Sequence, residues 1–296
     1  MNKSFILSCE STVDMPFSYV DGRDIPVIFY SYTVDGEDHV DDMLRDPAAL
    51  PRFYEMMAAG KLPSTAQLNV FQYREFFAAQ LEKGDLLHIC LGTGMTGSYH
   101  NALAAAEELR KEYPHRDMIV LDSLCSSSGY GMLVDHAADM RDRGATMVEI
   151  EAWVLAHRKQ IHHQFFSTDL KHYRRSGRMS GPAAMLGSVL NICPIMRLDD
   201  KGKIIAYGKV RGKKNAIRET VDTMEAHALK GKEYDGKCFI CHSQCPEDAE
   251  ALKTALFQRF PGIKEIAVFD IGTIIASHCG PGTVAVFFFG DERAPE

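Results

Sequence analysis

No stretch of this 296-residue chain approaches the roughly 18 uncharged apolar residues that a membrane-crossing helix needs, which excludes a helical span. Basic charge is also short. Against 40 Asp and Glu stand 33 Lys and Arg, the formal net charge is −7 and the pI is about 6.0, so a broad phosphate-binding face is excluded and no nucleic-acid partner is expected. The strings of several catalytic classes are missing, among them a Gly-x-Ser-x-Gly elbow and a His-Glu-x-x-His zinc pair. Internal repeats and low-complexity linkers are missing too, so the parts of the chain are expected to pack closely. The opening residues, MNKSFILSCE, carry one lysine and a short apolar run from Phe5, too little for the core of a secretory signal. A cytoplasmic location follows as the expectation.

What is present is ordinary globular material, 46% hydrophobic and 25% charged, with length enough for about two domains of roughly 150 residues. Short apolar runs alternate with helical-period segments, the pattern of a layered α/β protein with many parallel strands. Strands are predicted at Ser4 to Cys9, Pro26 to Val34, Leu86 to Leu91 and Met118 to Asp122. Asp46 and Pro47 open one helix that Gly60 closes, and Asn69 caps another that runs to Glu82 with Gly84 beyond. After a helix from Met147 to about Gln160 the pattern changes: His163 to Ser167, Pro194 to Leu198, Ile204 to Val210 and Lys237 to His242 read as strands. The middle two form a hairpin across Asp199-Asp200-Lys201-Gly202. The expected organisation is therefore an N-terminal domain, residues 1–164, with a mostly parallel sheet and flanking helices, and a C-terminal mixed α/β domain, residues 165–296.

Several strings resemble chemistry and fail on context. Cys238-Phe-Ile-Cys241-His242 spells a haem-attachment motif and, with Cys245, a partial zinc site, but alternation on a strand turns Cys238 and Cys241 to opposite faces. The eight cysteines (Cys9, Cys90, Cys125, Cys193, Cys238, Cys241, Cys245 and Cys279) sit mostly in strand-like runs and read as reduced core thiols. Gly231 to Lys237 has Walker A spacing, yet Cys238 stands where the Mg²⁺-binding hydroxyl belongs and a strand follows where a helix should. His162 and His163 point to opposite faces of a strand, and the remaining histidines are scattered without metal-ligand spacing.

The segment Gly92 to Asn101, GTGMTGSYHN, lies between an apolar run and the helix expected from Tyr99 to Glu112. Glycines there allow close backbone approach and the first helical turn offers unpaired N–H groups, which together suit a carboxylate or a phosphate. Hydroxyl-rich stretches of similar character recur at Ser11-Thr12-Val13-Asp14, Pro63 to Gln67, Asp122 to Gly131 and Ser277 to Gly282, with Arg178 inside Ser176-Gly177-Arg178-Met179. A serine-hydrolase reading, with Ser98 or Thr96 beside His278, lacks an evident acid to orient the imidazole.

In order and spacing the strings STVDMP, LPSTAQLN, GTGMTGSYHNA, VLDSLCSSSGYG, LKHYRRSGRMSGPAAMLGSVLNICPIMRLDDKGKI and SHCGPGTVAVFF resemble the DegV family over essentially the whole chain. The resemblance implies a two-domain α/β fold that holds one long-chain fatty acid between its domains. It also implies a carrier without activity or cofactor of its own, which presents the bound acid to a separate fatty acid kinase. The acyl phosphate so formed feeds phospholipid synthesis, and transient contact with a membrane surface goes with that role. By position, the resemblance assigns the ligand carboxylate to Thr65 and Thr96, with Gly97 and Ser98 beside them, and to the imidazole of His278. Arg178 becomes the exposed cation at the mouth, used by the kinase.

The chain departs from the family pattern at Ala66, Leu68, Gly92-Thr93 and Thr96, the last a threonine where serine is usual. Threonine keeps the hydroxyl and stiffens χ1, so the role is retained while the geometry of the headgroup site shifts. Met185, Leu186, Val189, Leu190 and Ile192 are candidates for the apolar tunnel. The alternative function is a lipid hydrolase or acyltransferase using Ser98 or Thr96 with His278, and a third is a sensor of another amphiphile.

Overall fold

The computed structural model describes residues 5–180 and 191–295. The first part of the chain runs β1 (Ile6–Glu10), α1 (Phe17–Asp21), β2 (Val27–Ile28), β3 (Ser31–Val34), β4 (Glu37–Val40), α2 (Ala49–Ala58), β5 (Ser64–Thr65), α3 (Val70–Leu81), β6 (Leu86–Cys90), α4 (Ser98–Glu112), β7 (Met118–Asp122), α5 (Ser127–Asp142) and α6 (Met147–His157). Four of these strands form a parallel sheet in the order β2-β1-β6-β7. Every residue of β6, Leu-Leu-His-Ile-Cys, is buried, as expected of a central parallel strand covered on both faces. Its one polar side chain, His88, is accommodated by a hydrogen bond of 2.8 Å between Nδ1 and Ser8 Oγ.

The run Pro26 to Val34 is not one strand. Tyr30 N–H donates to Ser11 Oγ at 3.2 Å and Tyr30 C=O accepts from Asp41 N–H at 2.9 Å, which takes the chain out of the parallel ladder after Ile28. From Ser31 it enters a separate antiparallel sheet of order β4-β3-β5. The β3–β4 turn is Asp35-Gly36, both with positive φ (52° and 84°), the backbone a two-residue hairpin requires. Helix ends follow the sequence signals with small shifts. Asn69 forms a reciprocal capping box with Gln72, a feature worth about 1 kcal/mol, whereas the Asp46 carboxylate accepts from Ala48 N–H one turn before α2 begins.

The second part runs β8 (Ile161–Ser167), α7 (Lys171–Ser176), β9 (Met179–Ser180), β10 (Ile192–Leu198), β11 (Ile204–Arg211), α8 (Lys213–His227), β12 (Cys238–His242), α9 (Pro246–Arg259), β13 (Ile266–Asp270), α10 (Thr273–Cys279) and β14 (Thr283–Phe289). These strands build a seven-stranded mixed sheet, β13-β12-β14-β8-β10-β11-β9. The β10–β11 hairpin pairs Leu198 with Ile204 across the predicted turn. Because β8 begins at Ile161, a division after residue 164 passes through a strand of this sheet. Among the described residues no helix is long and apolar enough to cross a membrane.

Alternation gives the seven-stranded sheet two distinct faces. His163 lies opposite Phe287, Phe165 opposite Ala285, and Ala285 opposite Cys241, so these side chains form rows on one face. On that face Gly129 of α5 comes close: a Cβ there would stand 2.3 Å from His163 Nε2 and 2.6 Å from Phe287. All eight cysteines are unpaired and all but Cys245 are fully buried, as the strand reading predicts.

Candidate functional site

The rows of the large sheet and the loops of the parallel sheet line a largely apolar cavity, whose atom-free space, counted out through its open mouth, is about 830 Å³. Phe165, Leu198, Ile204, Ala285 and Phe287 come from the sheet face, Ile271 from the approach to α10, Ile274 and Ile275 from its first turn, and Tyr30, Leu91 and Met95 from the first part of the chain. Of the predicted tunnel residues, Met185, Leu186, Val189 and Leu190 lie outside the described residues, and Ile192 opens β10.

Thr65, Thr96, His278 and Arg178, widely separated in sequence, all line this cavity. Thr65 is fixed by the pairing of β5 with Tyr32 of β3, and its Oγ1 is 2.8 Å from His278 Nε2 in the last turn of α10. Thr96 Oγ1 is 3.0 Å from Ser98 Oγ and accepts from Ser98 N–H at 3.3 Å. Ser98 is fully buried beneath it, its oxygen also accepting from Leu68 N–H at 3.1 Å, and Gly97 is the residue before α4. Arg178 is exposed at the rim and donates to Ser176 C=O at 2.6 Å. It also borders an outer, more polar cleft with Gln67, Thr93 and Lys203.

Burial first, then the charges of Arg178 and Arg175, push the His278 imidazole down to about 4, so it is neutral at physiological pH. With hydrogen on Nε2 it donates to Thr65, leaving the threonine hydroxyl hydrogen free for the cavity. Among the described residues Nδ1 is buried without a partner, and neither Ser98 nor Thr96 hydrogen-bonds the ring. The pairing that Ser98 or Thr96 would need as a nucleophile is therefore not assembled, because Ser98 faces Thr96 and the imidazole faces Thr65.

Two glycines of the 92–101 segment also lie where one stretch of chain packs on another. A Cβ at Gly94 would stand 2.2 Å from Gly202 C=O in the β10–β11 turn, and one at Gly92 would stand 2.8 Å from the Cys125 backbone. They permit close packing of chain on chain. Two of the loop's donors are taken as well, since Thr93 N–H and Oγ1 both donate to the Asp122 carboxylate at 3.1 and 2.6 Å.

Other site residues carry no sequence signal of their own. Arg175 joins both halves of the rim, donating to Pro63 C=O at 3.2 Å and to Ser277 C=O at 2.9 Å. His163 lines the cavity and accepts from Ser126 N–H at 3.1 Å. The fully buried Glu10 carboxylate accepts from Leu91 N–H at 2.9 Å, Tyr30 OH at 3.3 Å and Tyr73 OH, and so anchors the start of the headgroup loop. The histidines are also less scattered than they look: Glu10, His88 and Cys90 form one compact group, and His162, His227 and Asp291 another. In the second group each imidazole lies within hydrogen-bond distance of Asp291, at 3.0 and 3.1 Å, so hydrogen bonding accounts for it.

A cavity between a parallel and a mixed sheet, rimmed by threonine hydroxyls and one neutral imidazole, has the chemistry to hold an amphiphile with a small polar head. Residues 6–291 match the model of the DegV family, and the chain belongs to that family. A DegV domain-containing protein of Clostridium perfringens is 34% identical over 99% of this chain and 100% of its own length. Among solved structures, a fatty acid-binding DegV family protein of Streptococcus agalactiae has a TM-score of 0.80 at 25% identity, covering 97% of this chain and 99% of its own. A Thermus thermophilus DegV protein described for its fatty acid binding has a TM-score of 0.86 at 24% identity, covering 97% and 99%. The B3 protein of the Streptococcus pneumoniae fatty acid kinase, solved with linoleic acid, has a TM-score of 0.83 at 17% identity, covering 97% and 100%. The two-domain α/β fold expected from the resemblance is the fold observed.

Proposed function

We propose that this protein binds one long-chain fatty acid, with its chain in the apolar cavity and its carboxylate on Thr65, Thr96 and the His278 side of the rim. In this reading it presents the acid to a separate kinase. The observation that carries the reading is the Thr65–His278 hydrogen bond of 2.8 Å at the edge of an otherwise apolar cavity. Each methylene moved from water into such a cavity contributes about 0.8 kcal/mol, so the chain supplies affinity and the head supplies orientation. A carboxylate held by neutral hydroxyls avoids a tight buried ion pair and keeps its oxygens nucleophilic toward a phosphoryl donor. The bound ligands of solved relatives support the lipid class, and the kinase named for one of them supports the partner.

Arg178 and Lys203, at the outer cleft, are where the partner engages in this proposal. The site residues belong to the ligand rather than to a hydrolytic mechanism. Mass spectrometry of gently purified protein is expected to show a co-purified fatty acid at one per chain. Protein that is repeatedly empty and takes up no added fatty acid would overturn the reading.

A further inference from the structure

The stretch Ser11-Thr12-Val13-Asp14 ends in a carboxylate that does not itself line the cavity and yet ties together two of its walls. Asp14 follows a short 3-10 turn at the end of β1, has φ of 46°, and is 4% exposed. Its Oδ1 accepts from Gly272 N–H, the residue before α10, at 2.9 Å, and its Oδ2 is hydrogen-bonded by Ser127 Oγ in the first turn of α5. Its backbone C=O accepts from Ser128 Oγ at 3.0 Å. One step further along α10, Thr273 Oγ1 donates to the buried Asp41 at 3.1 Å. The start of α10 is thus held by carboxylates from the first part of the chain, and its end, at Ser277 C=O, by Arg175.

We propose that Asp14 is a positioning residue for the carboxylate site: by gripping the first turn of α10 and of α5 together, it sets where His278 stands relative to Thr65. The inference rests on the fatty-acid reading above. Helix α10 has seven residues, so fixing its first turn leaves no slack before His278 in its last. Without Asp14 the part-buried Gly272 N–H loses its acceptor, and the turn shifts toward the one that remains beside it, the Asp41 carboxylate. Gly272 is suited to this contact, because a Cβ there would stand 2.9 Å from Asp14 Oδ1.

The test compares Asp14→Ala, Asp14→Asn and Gly272→Ala by fatty-acid titration and by amide exchange over residues 272–279 of the ligand-free full-length protein. D14A is expected to weaken binding at least about tenfold and to lose amide protection in α10, the scale of removing one partner of a buried hydrogen bond. D14N keeps an acceptor for Gly272 and turns an N–H to Ser127, whose hydroxyl then accepts instead of donating, so its affinity and exchange stay near those of the parent. G272A, whose φ of −67° and ψ of 167° suit alanine, pushes the turn off the carboxylate and reproduces the loss even if D14A fails to fold.

Leu252→Ala, in α9 and fully buried, serves as a variant destabilised away from the cavity. Parent affinity in G272A, or an equal loss of affinity in L252A, overturns the proposal. Absence of fatty-acid binding in the parent instead sinks the functional reading. In that case α10 exchange alone decides the positioning role: unchanged protection in D14A and G272A overturns it, and selective loss over residues 272–279 supports it.

Discussion

The two sheets contribute to the cavity in different ways. The parallel sheet offers its carboxyl ends: Leu91, Met95 and Thr96 after β6 and Ser126 and Ser127 after β7 line the cavity, and Asp14, after β1, braces Ser127 from behind. Loops there carry hydroxyls and turning backbone, as ligand-binding loops of open parallel sheets do. The mixed sheet offers a face, where alternation delivers Phe165, Ala285 and Phe287 as a mostly apolar wall that His163 and Thr283 interrupt. Loops therefore set the chemistry of the head, and the sheet face sets the room for the tail. If that division is right, the two sides respond differently to substitution.

The largest expected effect is on the sheet side. Ala285→Phe projects a ring into the cavity between Phe165 and Cys241 without touching any rim hydroxyl. Fatty-acid affinity is expected to fall about a hundredfold, close to 3 kcal/mol, with little loss of melting temperature because the ring fills existing space. A fluorescent fatty-acid titration beside a thermal melt checks it. Unchanged affinity would remove the sheet face from the ligand's path.

The next effect belongs to the loop side and reads stability. Burial above all pushes Asp14 up to about 8 from 3.8, with Asp41 and Asp270 adding to it and the Ser127 and Gly272 hydrogen bonds opposing it. Cys241, Cys279 and Tyr54 also face it, and burial pushes each of these up as well, so they add no charge near neutral pH. Below about 4 Asp14 is neutral in both folded and unfolded chains. As pH rises toward 8 the unfolded chain has released a proton that the folded protein retains, and stability is lost. His136, His162 and His278, each pushed down to about 4 from 6.5, act in the opposite sense, but only between those values. Between pH 6.5 and 8, stability should therefore fall with a slope of at most about 1.4 kcal/mol per pH unit, and Asp14→Asn should flatten it. Denaturant melts across that window decide, and a parent with no slope contradicts a neutral Asp14.

Much of this division was legible in the sequence, for physical reasons. Cap and turn residues act locally, so Asn69 and the Asp199 to Gly202 turn stand where their types predict. The hydroxyl stretches marked the loop side because such residues cluster where strands end. Long-range partners left no local trace. Pro26 to Val34 reads as one apolar run because the break at Tyr30 depends on Ser11 and Asp41, residues outside it. The need for glycine at position 94 comes from Gly202, more than a hundred residues away, and the rim role of Arg175 from carbonyls at Pro63 and Ser277. Conversely, the adjacent histidines were correctly placed on opposite faces, yet the cavity role of His163 depends on which face the loops cover.

Within the loop side, Thr65→Ala and Thr96→Ala are each expected to weaken fatty-acid binding about tenfold, the loss of one hydrogen bond to a charged group. Thr96→Ser keeps the hydroxyl and should stay within about threefold of the parent, a difference under 1 kcal/mol. Calorimetric titration with one saturated acid orders the set. Equal loss in T96A and T96S would assign the effect to the threonine methyl and its packing, not to its hydroxyl.

The smallest expected effect on binding is at Arg178, and there the comparison is sharpest. Its guanidinium is exposed and its hydrogen bond is to its own neighbour's carbonyl, so removing it leaves the cavity and the Thr65–His278 pair in place. Arg178→Ala should therefore change fatty-acid affinity less than about twofold, as exposed charges do. Loss of the nearby positive charge also relieves His278, whose pKa should rise from about 4, a shift that imidazole NMR reads directly. Acyl-phosphate formation with a fatty acid kinase should fall far more than binding. Loss of binding equal to that in T96A would mean that the rim cation grips the ligand itself, and the separation of head, tail and partner surfaces would collapse into a single site.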